Sequence, residues 1–316
     1  MEKNGDSKGE NFTEKCKNVI FNFIAEYIKE NESVKNNAER TLLLVKRYAT
    51  KLKADFDISE NKVLPYKYFL FFSDILSGCY EYLENYFKEK ILNEYDENSL
   101  LILKYKNALQ SFKTISYVMQ TNDFSSSLIL FRVLYENMVI LKFLLSNVDC
   151  IGEFDEYSMI KLTKLYDIYG SKTTGIKKLS KINNSTYQLD RLDIENKLKK
   201  NYDWAKQKIK KGKGDINFHD IETEVFREHK FIKENMIKKY NLISDLTHAN
   251  TSIFTQPDKD VELFNLLLDC FEQMGFPLMV DTFLTLFKFV YNGQFQYKVE
   301  AFNKLFFALF PYVYGK

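Results

Sequence analysis

A chain of 316 residues with 45% hydrophobic and 28% charged residues has the composition of a folded globular protein and not of a disordered one. Its 11 glycines and 4 prolines are too few for the many tight turns of a sheet-rich fold, and they favour long helices. The formal charge of +2 is uninformative as a total, but residues 171–214 hold 12 Lys and one Arg against four acidic residues, a concentration of positive charge that the rest of the chain offsets.

The first ten residues, MEKNGDSKGE, are polar and lack an apolar signal core. Apolar positions then recur at intervals of three and four: Phe12, Val19, Ile20, Phe23, Ile24 and Tyr27 form one stripe, and Leu43, Leu44, Arg47 and Leu52 belong to the next. Residues 1–60 are expected to form a helical arm, a candidate for dimerisation, ahead of a helical core domain over 61–316. Pro65 suits the first turn of a helix, and the run from Tyr66 to about Leu92 is amphipathic. DENSLLILKYKNALQSFKTISYVMQ predicts the next helix, with Asp96 or Ser99 as its N-cap. NDFSSSLILFRVLYENMVILKFLL predicts one that begins after Asn122–Asp123 and ends near Asn147.

EFDEYSMIKLTKLYDIYG closes on Gly170, a C-terminal stop signal. Thr-Thr-Gly, Asn-Asn-Ser and Gly-Lys-Gly break the pattern across 171–214, which reads as a polar, basic excursion of short helices and loops. A long helix is predicted from about Ile221 to Ala249. Another starts at Pro257–Asp258, and two apolar helices start at Pro277 and Val299. Neither an internal repeat nor a pair of alternating strands is present. The fold class is therefore all-α, a multi-helix bundle of about ten helices with a basic excursion.

Two stretches are apolar enough to test for membrane insertion. SSLILFRVLYENMVILKFLLSNV carries Arg132, Glu136 and Lys142, and FPLMVDTFLTLFKFVYNG carries Asp281 and Lys288. Neither offers about 18 uninterrupted apolar residues, so both read as buried core helices. Cys16, Cys79, Cys150 and Cys270 are far apart with no CxxC pair. They read as reduced thiols of a cytoplasmic protein that has no membrane association.

Arg132 and Glu136 stand at i and i+4 on the most apolar helix. Buried charges are costly unless paired, so both are expected within hydrogen-bonding reach of a partner helix. The pair either fixes helix register or presents Arg132 as an anion clamp. Tyr240, Ser244 and His248 recur at strict four-residue spacing in YNLISDLTHAN, which stacks them along one helix face. His248 reads as a general acid or base oriented by Glu136 or Asp245, or as a satisfied interior histidine near a helix end. His219 and His229 sit in charged surroundings. A Ser–His nucleophile pair is disfavoured, since no glycine-flanked elbow surrounds Ser244.

KKGKGD lacks the strand context and terminal Ser/Thr of a phosphate-binding loop. No zinc or calcium ligand spacing is present either, and no cofactor is expected. Lys199, Lys200, Lys206, Lys208, Lys210 and Lys211 form either a solvated face or a surface that follows a phosphate backbone.

The Arg132-x-x-x-Glu136 helix, the lone Trp204 in a polar excursion, and Tyr240-x-x-x-Ser244-x-x-x-His248 together resemble a bacterial helical family catalogued as domain of unknown function 5677. The resemblance covers roughly residues 65 to 291. Through the family's helical character and polar motifs it extends, more loosely, to HEPN-type proteins, many of which are metal-independent endoribonucleases of toxin and phage-defence systems. Those nucleases carry Arg and His within one helix. Here the nearest such pair, Arg227 and His229, is only two positions apart, so a site of that kind has to join Arg132 and His248 from different helices.

Two functional readings follow. One is an RNA-cleaving effector, with His248 as base and Arg132 as phosphate clamp. The other is a non-catalytic helical sensor or scaffold that binds a protein partner, with the polar stripe as a registry device. A homodimer is compatible with both.

Overall fold

The computed structural model describes residues 7–32, 38–58, 65–91, 97–158, 161, 201–210, 214–228, 230–248, 260–291 and 296–310. Every regular element among them is helical. In chain order they are α1 (Ser7–Glu32), α2 (Ala38–Asp55), α3 (Pro65–Ile91), α4 (Glu97–Met119), α5 (Phe124–Ser146), α6 (Phe218–Val225), α7 (Lys230–His248), α8 (Asp260–Cys270), α9 (Phe276–Tyr291) and α10 (Gln296–Leu309). Short 3-10 turns at Val148–Cys150 and Asp203–Ala205 and a helical stretch at 151–158 complete them.

The chain divides into two units, residues 1–145 with 234–316, and residues 146–233. The expected boundary near residue 60 is therefore not where the division falls. α1 packs on α2, α3 and α10, and α2 also packs on α10, so the first two helices belong to the larger unit. Their stripes explain why: Val19, Ile20, Phe23, Ile24, Tyr27, Leu44 and Leu52 are all buried, whereas Leu43, expected in the second stripe, is exposed and the side chain of Phe12 lies outside the described residues. α1 and α3 approach closely at Gly78, where a Cβ would lie 2.7 Å from Ile20 Cδ1.

The core of the larger unit is a cluster of phenylalanines. Phe72 and Phe276 have centroids 4.2 Å apart, Phe69 and Phe271 4.6 Å, and Phe112 and Phe271 5.2 Å. Most meet tilted or edge-on, the arrangement aromatic quadrupoles prefer. Each fully buried ring contributes on the order of 2–3 kcal/mol by area removed from water.

α4 begins at Glu97, which places Ser99 inside its first turn and leaves Asp96, outside the described residues, as the remaining cap candidate. Three boundaries differ from expectation. The helix expected from Val299 starts one turn earlier, at Gln296. The helix predicted from Ile221 to Ala249 is two helices. α6 starts earlier, on a capping box in which Asn217 Oδ1 accepts from Asp220 N–H and Asp220 Oδ2 accepts from Asn217 N–H. It stops at Phe226, whose backbone leaves the helical region with φ −103° and ψ 20°. Ile221 and Phe226 are both buried, but five positions apart they cannot share one helix face. The turn returns Phe226 to the apolar side, and β-branched Thr223 and Val225 offer little helical resistance.

Pro277 does not start a helix. α8 runs into α9 through a wide π turn, Phe271–Gly275, in which the Phe276 N–H bonds to the Phe271 carbonyl. Proline lacks an N–H and its ring crowds the carbonyl four residues back, so the wider turn accommodates it. A Cβ on Gly275 would stand 2.8 Å from Phe271 Cδ1 and 3.0 Å from Phe131 Cε2. The span Val261–Tyr291 is long and apolar enough to cross a membrane, but most of its apolar window is buried inside the protein.

In the smaller unit Trp204 is buried against Phe154, ring centroids 5.0 Å apart and nearly perpendicular. The excursion thus contains an apolar anchor. Tyr157 and Asn201 share a 2.9 Å hydrogen bond, and Gln207 donates to Glu153. All four cysteines are unbridged and buried, and burial pushes each thiol upward in pKa.

Candidate functional site

α5 begins on Asp123, whose Oδ1 accepts from the Ser126 N–H at 3.0 Å. Its apolar residues Phe131, Leu134, Tyr135, Met138 and Val139 are buried. Arg132 and Glu136 lie on its flank towards α7. Arg132 Nε donates to Glu136 Oε1 at 2.9 Å, and the Tyr240 hydroxyl of α7 donates to the same oxygen at 2.7 Å. The Arg132 guanidinium stands 5.9 Å from the centre of the Tyr240 ring, and the Tyr135 ring lies 5.5 Å from it.

This cluster is neither core nor open surface: the Arg132 and Glu136 side chains are 22% and 28% exposed, and Tyr240 is buried. Burial, followed by the Glu136 acceptor, raises the Tyr240 pKa well above the ordinary phenol range. Tyr240 is therefore a neutral donor. Burial works against the Arg132 charge, but the hydrogen bond to Glu136 and the Tyr240 oxygen outweigh it, and its pKa is raised. The cluster as a whole carries one positive and one negative charge.

Lys239 of α7 pairs with Asp269 of α8. α8 and the π turn run alongside α5 in the same direction, since Phe264 meets Phe124 at 5.0 Å and Phe271 meets Phe131 at 4.6 Å. Ser244 and His248 follow Tyr240 along α7 at successive turns, each about 5–6 Å further on. Ser244 is partly exposed and Asp245 exposed; His248 is the last residue of α7, and its side chain lies outside the described residues.

The structure thus joins Arg132, Glu136 and Tyr240 directly. Tyr135 completes the cluster and was concealed in the sequence by the apolar run around it. Of the basic residues, Lys206, Lys208 and Lys210 are exposed, and Lys206 is 2.8 Å from Asp203; Lys199, Lys200 and Lys211 lie outside the described residues. Acidic Glu153, Asp155, Glu156 and Asp215 occur in the same unit, so its positive charge is not concentrated among the described residues. His219 is exposed, 3.3 Å from the buried carboxylate of Glu222, and His229 lies outside the described residues.

Residues 98–259 match the model of a family of unknown function (DUF5677), a little over half of the chain. The chain belongs to this family. The DUF5677 span is narrower than the resemblance in the sequence suggests. It holds α4 to α7 and all of Arg132, Glu136, Tyr240, Ser244 and His248, while α1, α2, α3 and the last three helices lie beyond it. No curated protein and no solved structure matches the chain.

Proposed function

We propose that this DUF5677 protein is an RNA-cleaving effector of the HEPN kind, working in the bacterial cytoplasm as part of a toxin or phage-defence system. The observation that carries the reading is the Glu136 carboxylate oxygen shared by Arg132 and Tyr240 on a partly solvent-open seam. RNA brings its own nucleophile, the 2′-hydroxyl. Cleavage needs a base for that proton, a cation for the phosphate oxygens and a proton for the departing 5′-oxygen. His248 takes the first role and, once protonated, the last. Arg132 takes the second, its orientation fixed by Glu136. Tyr240 is a positioning residue that holds Glu136, and Ser244 supplies a hydroxyl one turn along α7 from Tyr240. Lys199, Lys200, Lys206, Lys208, Lys210 and Lys211 follow the phosphate backbone.

One observation favours a second reading. Arg132, Glu136 and Tyr240 satisfy one another, as a registry lock between helices requires, and the protein is then a scaffold for a protein partner. Expression of the wild-type chain in bacteria beside His248→Ala separates the two, with growth and RNA integrity followed together. The effector reading requires slowed growth and fragmented RNA with the wild type alone. Intact RNA and normal growth with both, together with a destabilised His248→Ala, leaves the scaffold.

A further inference from the structure

α4 and α5 form an antiparallel hairpin. Lys104 Nζ donates to Asn137 Oδ1 at 3.3 Å. Nearer the connection between the two helices, Phe112 and Phe131 both meet Phe271, at 5.2 and 4.6 Å. On its solvent side α4 carries Leu103, Asn107, Gln110, Thr114 and Tyr117, spaced by four, three, four and three. α5 adds Ile129 and Val133 one turn apart. Leu103 is 49%, Tyr117 53%, Ile129 45% and Val133 46% exposed. Among the described side chains, no exposed position of either helix is charged. α2 also exposes Leu42 and Leu43, but beside Glu39, Arg40, Lys46, Arg47 and Lys51. Partly buried charges flank the α4–α5 face: Lys106 stands 2.9 Å from Glu84 on α3, and Arg132 pairs with Glu136 towards α7. Lys104 lies partly buried in the seam. An apolar, charge-depleted centre with a tyrosine and a polar rim is the make-up of a protein interface.

We propose that two copies of this chain pair through the α4–α5 face about a two-fold axis. Such an axis sets the same patch on both sides of the contact. An uncharged centre lets two identical faces meet with no exposed like charges opposed, and it gives a strongly charged partner nothing to complement. Size sets the strength. The stripe from Leu103 to Tyr117 runs about 21 Å, and two helices side by side span roughly 20 Å. That centre covers about 400 Å², half of the ~800 Å² that each partner gives to a standard interface, and the partly exposed flanks supply the rim. A face of this extent sustains a reversible dimer and not an obligate one. The pairing stands whether or not the seam between α5 and α7 cleaves RNA.

The test is sedimentation velocity of the purified full-length chain from about 1 to about 200 μM, the range in which weak dimers form. The wild type is expected to shift, as concentration rises, from the 37.5 kDa chain to a species of twice that mass. Val133→Glu sets a carboxylate in the centre of each face, and Tyr117→Ala removes its aromatic ring without adding charge. Each should raise the dissociation constant by at least about tenfold, with circular dichroism and melting midpoint unchanged. Leu43→Glu, the same kind of change on α2, should leave the dimer as it is. A wild type that stays monomeric throughout, even one whose α4–α5 face retains a different protein, overturns the proposal. So does a dimer that survives both Val133→Glu and Tyr117→Ala, or one that Leu43→Glu alone dissociates.

Discussion

The Tyr240 hydroxyl donates to Glu136 Oε1 at 2.7 Å across 104 positions of sequence, and it shares that oxygen with Arg132. Tyr240→Phe keeps the ring between Tyr135 and Arg132 and removes only the donor. A hydrogen bond to a charged acceptor, partly open to water, contributes about 1–2 kcal/mol. Urea unfolding followed by circular dichroism should show that loss with an unchanged slope. A variant as stable as the wild type would mean the bond contributes nothing.

Alkaline pH should unfold the protein steeply. Burial first, and then an acidic acceptor, raises the pKa of Tyr240 and of Tyr80. Below about pH 10, the ordinary tyrosine value, both groups are protonated whether folded or not, and stability is intact. Above it the unfolded chain releases protons that the folded chain retains, so stability falls as the pH climbs towards the raised values. In titrations from pH 8 to 11.5, Tyr240→Phe should fall less steeply than the wild type; parallel curves would refute the assignment.

Gly275→Ala forces a methyl between the rings of Phe271 and Phe131 within the π turn. Overpacking of this kind costs about 1–3 kcal/mol. Thermal unfolding should show a lowered midpoint, whereas Gly152→Ala, with open space around its Cβ position, should leave packing undisturbed.

Trp204 is the one tryptophan of the chain and reports on the smaller unit alone. Buried against Phe154, it should emit at shorter wavelength in the native protein than in urea. Phe154→Ala should redden that emission and destabilise its transition by about 3 kcal/mol, the usual cost of an emptied aromatic site. Native emission already at the denatured wavelength would contradict the burial.

The helices with clear three-and-four spacing were legible because each buries one stripe. What was hidden depends on neighbours. Ile221 and Phe226 look like one continuing pattern until their five-residue spacing has to face a single core. Pro277 looks like a helix start because a π turn has no sequence marker of its own. That Arg132 and Glu136 meet a residue of another helix was legible because charges inside an apolar helix require partners.

The central claim is that the seam between α5 and α7 cleaves RNA through the 2′-hydroxyl. Its most direct test is the chemistry of the ends left by the purified wild-type protein on a labelled RNA, beside the same strand with 2′-O-methyl groups and beside His248→Ala and Arg132→Ala. The account predicts 2′,3′-cyclic phosphate and 5′-hydroxyl ends from the wild type, no cleavage of the methylated strand, and loss of at least about a hundredfold in rate with either variant. Cleavage of the methylated strand, 3′-hydroxyl ends, or variants as active as the wild type would contradict it.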